Sequence, residues 1–407
     1  MIDERIIDKL VERLVERIEE GNSYVLKKIG ESIKKVGTFS PSKAQQLAQV
    51  LKYGGNYNKI AEKLAKITEL NVKDIYAIFE EVAKNDFLFA EQFYNYRGVK
   101  YIPYEENLAL QNQVKALARL TANKYVNFSN TLAFAKKVNG RVVYTELAKT
   151  YYESIDKATL SVMQGKDTFD QQMHSVIKEL GESGLKTVDY ASGRSVRLDS
   201  SVRQHLKGAL RNLHNEMQAV FGEEFGSDGV EISVHLNPAP DHEEVQGRQF
   251  SKEEFYKFQH DMDAVDYTGK IFKAEFNGKD RRAISEYNCY HYTFDIILGV
   301  SKPNYSNDEL KKIIEDNEKG FELDGVHFTN YEGTQMQRAL ETSVRKQKDI
   351  QIIAKASGNK ELVLESQKKI RQITKKYKEL CEVSGLPTKM DRMRVSGYKR
   401  INVAKMK

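Results

Sequence analysis

The chain has 407 residues, 40% of them apolar and 30% charged, with six prolines and no tryptophan. That balance fits a soluble, mostly helical and elongated protein of roughly two to four domains. No apolar run approaches the roughly 18–20 residues of a membrane span, the N-terminal Met-Ile-Asp-Glu-Arg lacks a signal-peptide core, and Cys289 and Cys381 stand too far apart for a disulfide framework, so membrane insertion and secretion are disfavoured and synthesis in a reducing cytoplasm is expected. From Thr388 to Lys407 seven basic residues face the single acid Asp391, and this segment accounts for the whole net charge of +6.

In chain order, Ile7, Leu10, Leu14 and Ile18 step by three or four, as do Leu26, Ile29, Ile33 and Val36. The spacing predicts two helices, each with an apolar stripe, broken at Gly21-Asn22. Ser40-Pro41 predicts a helix start, with a serine cap and proline at the first helical position, and Gly54-Gly55-Asn56 its end. A helix follows through Leu64 and Ile67, and a longer one over about 72–96. Short helices with short turns predict a local all-helical bundle. The helical pattern continues over about 106–126, 128–138, 143–164 and 168–181, punctuated by Gly140 and Gly165.

At Gly184 the pattern changes. Residues 186–190 and 195–198 alternate about an Ala191-Ser192-Gly193-Arg194 turn and predict a hairpin. Asp199-Ser200 is expected to cap a helix over 201–223. Val230, Ile232 and Val234 alternate with Glu231, Ser233 and His235, which predicts a half-buried strand over 230–236, ended by Pro238-Ala239-Pro240. The stretch 250–300 reads as loop-rich, with a short helix near 252–261. Helices return over 306–319 and 334–384, the latter folded into a hairpin at Ser357-Gly358-Asn359. The expected fold is mainly α with a small α+β central domain and elongated multi-helix arms at both ends. Its parts are an N-terminal helical domain (1–103), a helical connection (104–183), the α+β module (184–303), C-terminal helices (304–384) and a basic tail (385–407).

Chemistry-bearing residues gather in the middle. His235, His242, Cys289 and His291 are the candidate metal ligands, since imidazole and thiolate suit a tetrahedral Zn²⁺. The alternative is that the histidines bond to backbone groups and Cys289 is a small buried apolar residue. Asp241, His242 and Glu243 form an acid–base cluster, and Cys289 with His291 could make a thiol nucleophile. The chain has no glycine-rich phosphate loop, Gly-x-Ser-x-Gly or His-Glu-x-x-His, so no catalytic residue is assigned. A zinc-dependent, hydrolase-like or toxin-like module is the alternative reading. Arg194, Arg203 and Arg248 either clamp a carboxylate or phosphate or brace the small domain by pairing with acids such as Asp189 or Asp199. In the tail, Lys389, Arg392, Arg394, Lys399 and Arg400 suit phosphates or an acidic partner, with Tyr398 placed to stack on a base. Alternatively the tail is solvated and aids solubility. Its scarcity of large apolar residues predicts disorder in isolation.

Four pieces in order carry a family resemblance: Asp189-Tyr190-Ala191-Ser192-Gly193-Arg194; Ser233-Val234-His235; Pro240-Asp241-His242 with Gln246-Gly247; and Asn288-Cys289-Tyr290-His291 leading to Gly299-Val300-Ser301. Together they resemble the phage minor capsid protein 2 family over about residues 184–303. The chain departs from the family in having Val245 where tryptophan is common, Leu236-Asn237 with a proline-rich turn for a Gly-Ala-Arg stretch, and Tyr290 where arginine is usual. The resemblance implies a minor, non-enzymatic component of a tailed-phage head, akin in role to Mu-type F head morphogenesis proteins. It would be made in the host cytoplasm and built into the virion. Its implied partners are portal or major capsid subunits, and packaged double-stranded DNA through the tail. Asp189, Tyr190, Gly193, Arg194, Arg203, Gln246 and Gly247 are then structural motif residues.

Overall fold

The computed structural model describes residues 4–36, 57–131, 135–138, 141–144, 186–189, 195–259, 264–265, 271–272, 275–276, 279–280, 283–284, 289 and 291–401, together with 174, 175, 177, 178 and 181. The architecture is mainly helical with small antiparallel sheets.

Helix α1 (Glu4–Val36) runs through Gly21-Asn22 without a break. The reason is packing: Gly21, Asn22 and Ser23 are all buried, and Ser23 Oγ donates to the Ser396 carbonyl of the C-terminal segment. A side chain at Gly30 would strike Ile353 and Ala356. These small residues are close-approach points, not helix stops. The two expected helices on either side of residue 70 are likewise one, α2 (Tyr57–Arg97). Asn71, fully buried in its middle, donates to the Leu14 carbonyl (3.1 Å) and Tyr125 Oη (2.5 Å) and accepts from Arg17 (3.0 Å). Its polar group thus ties α1 to α3 (Leu108–Thr131), so the local bundle is made of long helices. The Ser40-Pro41 start and the Gly54-Gly55-Asn56 stop lie outside the described residues.

The helix expected over 128–138 is cut short. α3 ends at Thr131, and β1 (Ala135–Val138) pairs antiparallel with β2 (Arg141–Tyr144), Val138 opposite Arg141. The valines of 138–143 favour the pleated strand. The helix expected over 143–164 falls almost wholly outside the described residues; of 168–181, residues 174, 175, 177, 178 and 181 are helical. The next hairpin forms as expected, from β3 (Lys186–Asp189) and β4 (Ser195–Arg197).

Helix α4 (Leu198–Phe225) starts earlier than expected. Asp199 lies inside its first turn, and Arg197 occupies the cap position without a side-chain capping bond to the helix backbone. Leu206, Leu210, Leu213, Met217, Phe221 and Phe225 form its buried stripe, and Gly226 ends it in the left-handed conformation. The largest sheet has order β11–β5–β6, all antiparallel: β5 (Gly229–Ile232), β6 (Gln249–Ser251) and β11 (Thr293–Ile296). β5 does not show the expected half-exposed face. Glu231 is buried, and its carboxylate accepts from Gln249 (2.8 Å) and Asn304 (2.5 Å). Between them lie α5 (Lys252–Gln259) and two small ladders, β7 (Ala264–Val265) with β8 (Ile271–Phe272) and β9 (Glu275–Phe276) with β10 (Lys279–Asp280).

The C-terminal part opens with α6 (Asn307–Lys319), set by a reciprocal Ser306–Glu309 capping box. A hairpin unseen in the sequence follows, β12 (Phe321–Leu323) and β13 (Val326–Phe328), turning at Asp324-Gly325 with both φ values positive. α7 (Asn330–Ser357) starts at a second capping box, Thr329–Glu332, and meets α8 (Lys360–Ser384) at the expected Gly358-Asn359 turn. One large core joins α1, α2, α3, α4, α7 and β11. Helices from the two ends of the chain therefore share one interior, with α1 packed on both α7 and α4.

Residues 385–401 do not stand off as a disordered tail. Leu386, Met393 and Val395 are buried, Lys348 donates to the Met393 carbonyl (2.6 Å), and Tyr398 donates to Gln367 of α8 (3.3 Å). Three apolar anchors and these bonds lay the segment on α7 and α8.

Candidate functional site

The antiparallel pairing of β5 with β11 sets Ile232 opposite Thr293. Past the regular ladder, Ser233 N–H donates to the Tyr292 carbonyl and Tyr292 N–H to Ser233 Oγ, both at 2.9 Å. The two strands stay together for one more step, which brings His235 beside His291. The prolines at 238 and 240 lack the N–H groups a strand needs, and residues 239–247 coil into successive turns, His242 N–H donating to the Ala239 carbonyl and Gln246 N–H to the His242 carbonyl. Gly247, at φ +69° and tight against Leu310 and Val234, returns the chain to β5 by donating to the Ile232 carbonyl (2.9 Å). A side chain there would collide. Val245, where the family resemblance leads one to expect tryptophan, fills a small apolar core with Ile232, Phe250 and Ile284.

This turn buries His242 and Gln246 and faces them toward Cys289 and His291. Cys289 Sγ lies 3.7 Å from His242 Nδ1 and 3.5 Å from His291 Nδ1. Ligand atoms of His242, Cys289 and His291 all fall within 4.8 Å of one another, and all three residues are buried. The His235 ring packs on that of His291, centroids 4.4 Å apart. Gln246 Oε1 accepts from His235 N–H (2.8 Å) and contacts His291 Nε2 at 3.3 Å. The donor from His235 identifies that atom as oxygen, so His291 Nε2 is the donor to it, and Nδ1 is the ring nitrogen that faces the sulfur. Asp241 lies 3.7 Å from His242 Nε2 and favours the same tautomer there. Arg211 donates to the Cys289 carbonyl. Three of the four candidate ligands thus come together, and His235 packs beside one of them, His291. Glu243 turns away and accepts from Asn317 (3.3 Å), so Asp241, His242 and Glu243 do not gather as an acid–base unit. The cleft of about 620 Å³ lined by Glu223, Lys252, Tyr256 and Asp295 contains none of the cluster residues.

The other motif residues are dispersed. Asp189 is described as the end of β3, opposite Ser195; Tyr190, Gly193 and Arg194 lie outside the described residues. Arg203 clamps Glu12 of α1 through two bonds of 2.8 Å. Arg248 donates to the Glu244 carbonyl (2.7 Å) and to Asn307 at the start of α6 (3.1 Å). Of the tail residues, Arg394, Lys399 and Arg400 are exposed and Lys389, Arg392 and Tyr398 half-buried. The Tyr398 ring sits under Lys348 Nζ, 4.8 Å from its centroid.

Two buried charge clusters escaped the sequence reading. Arg197 bonds Asp199 (3.0 Å) and Asp349 (2.9 Å), and Arg345 reaches Asp199 from α7 (2.8 Å). Burial alone would raise the pKa of Asp199, but Arg197 and Arg345 outweigh it and hold Asp199 below the carboxylate range. Burial prevails at Asp349, whose pKa is raised. Beside them, burial followed by the negative charge of Asp199 pushes Glu19 up to about 8. The second cluster is His214, with Nδ1 2.7 Å from Asp86 and Nε2 2.9 Å from the Thr293 carbonyl. The carbonyl can only accept, so Nε2 holds a proton. Burial raises the pKa of the Asp86 carboxyl that Nδ1 faces, with His214 opposing the rise. The available signal for His214 was its spacing, four after Leu210 and three before Met217, on the buried stripe.

The family model described as phage minor capsid protein 2 matches residues 2–382, nearly the whole chain. No curated protein and no solved structure matches it. The chain belongs to the phage minor capsid protein 2 family.

Proposed function

We propose that this family member is a low-copy structural component of a tailed-phage head, docked on portal or capsid subunits and serving head assembly or DNA packaging and ejection. The observation that carries the reading is the family match over residues 2–382. Surface chemistry supports it. Leu88, Tyr96, Ile102, Leu108 and Leu120 are more than half exposed along α2, α3 and their connection, and exposed apolar side chains of this kind suit contact with other subunits. Among the described residues no helix is long and apolar enough to cross a membrane. The exposed Arg394, Lys399 and Arg400 are offered to DNA phosphates.

The role is structural, not catalytic. The sulfur and imidazoles of the central cluster are buried, a setting that suits bracing better than turnover. Quantitative mass spectrometry of purified virions and procapsids tests the proposal. A few copies per particle are expected, with Leu88→Asp and Leu108→Asp lowering incorporation; absence from both particles refutes it.

A further inference from the structure

We infer that His242, Cys289 and His291 bind one divalent transition metal of the zinc class, with His235 as the fourth ligand. The argument is geometric. For tetrahedral Zn²⁺ with Zn–S of about 2.3 Å and Zn–N of about 2.0–2.1 Å, the S···N edge is about 3.6 Å. The two edges found here are 3.7 and 3.5 Å. Two Nδ1 atoms face the one sulfur at nearly equal distance, as two imidazole ligands and a thiolate around one ion would. Gln246 holds the proton on His291 Nε2, and Asp241 favours it on His242 Nε2, the outer partners that metal-bound histidines use to orient their rings. A cation between the three atoms would take both Nδ1 lone pairs and the thiolate, with the thiol proton released to solvent. His235, whose ring packs on that of His291 with centroids 4.4 Å apart, is the imidazole placed nearest to complete the set.

The location suggests the purpose. Among the described residues, the small apolar cluster beside the turn consists of the buried Ile232, Val245, Phe250 and Ile284 with Phe255 packed against it, and a core that small benefits from a staple. The metal would join the 239–247 turn to the start of β11, fixing the turn without any role in chemistry.

The test uses the full chain and the metals alone. Elemental analysis should find one zinc per chain. After removal of zinc, Co²⁺ should produce a thiolate-to-cobalt charge-transfer band with tetrahedral ligand-field bands, and chelator should lower the melting temperature. Cys289→Ser should abolish the charge-transfer band, and Gln246→Ala should weaken binding about 10- to 100-fold. His235→Ala should keep the thiolate band and lose affinity. The wild-type Co²⁺ spectrum decides the matter even where a variant fails to fold. A wild-type chain that takes up no metal, or a Co²⁺ complex without a thiolate band, overturns the site. Unchanged affinity in His235→Ala overturns the fourth ligand.

Discussion

Glu19 offers the sharpest test of how the helices from the two ends of the chain are joined. It is 7% exposed, on the stretch of α1 that meets Arg197, Asp199 and Arg345. The two arginines and the two aspartates already balance each other, so an ionised Glu19 adds an uncompensated buried charge. Burial first and the repulsion of Asp199 second raise its pKa from 4.5 to about 8. Between those values the folded chain holds a proton that the unfolded chain has lost, so stability falls as pH rises through the window. At about 1.4 kcal/mol per unit, the loss between about pH 5 and about pH 8 is at most about 3–4 kcal/mol, with water entry reducing it. Glu19→Gln keeps the shape and removes the titration. Urea unfolding followed by circular dichroism should show the variant gaining on the wild type by several kcal/mol across that interval, with little difference at the acid end. Parallel pH–stability curves for the two proteins would refute the reasoning.

Four further outcomes are expected. Asp86→Ala removes the buried partner of His214 Nδ1 and should cost about 1–3 kcal/mol, with Asp86→Asn, which can still hydrogen-bond to Nδ1, distinctly milder in the same unfolding assay. Gly222→Ala places a methyl group against the Asp295 carboxylate, which is bonded to Lys252 at 2.7 Å; a loss of about 1–3 kcal/mol is expected, and an unchanged melting temperature would contradict the close α4–β11 approach. Thr329→Ala removes the cap of α7 and should cost about 1 kcal/mol. Replacing Arg394, Lys399 and Arg400 with alanine should reduce the log–log salt dependence of double-stranded DNA binding by up to about three; an identical slope would take these residues off the DNA.

Several elements were legible because their signals are local. The α7–α8 turn rests on Gly358 and Asn359, a left-handed cap followed by an N-cap, and the β3–β4 hairpin on alternation about a small-residue turn. The apolar stripe of α4 and the Ser306 start of α6 are of the same kind. The misses also share a cause. Gly21-Asn22 read as a break and the helix near residue 67 as separate from that over 72–96, but α1 and α2 run through because Ser23 bonds the Ser396 carbonyl and Asn71 bonds the Leu14 carbonyl of the neighbouring helix. The C-terminal segment read as disordered because Leu386, Met393 and Val395 are widely spaced, and no local period marks the grooves that receive them.

What the sequence alone determined is the helical class, the family and the set of polar residues in the central motif, since side-chain period, turn chemistry and residue order are carried along the chain. Tertiary structure decided the rest. It joined Glu12 and Glu19 near the start to Arg203, Arg345 and Asp349 hundreds of residues on, and closed His242 on Cys289 and His291 while turning Glu243 away. Such pairings depend on which faces meet after α1 packs between α4 and α7. Burial then sets the charge of each group, making Glu19 an acid of about 8 in one place and Asp199 a firmly ionised one in the next.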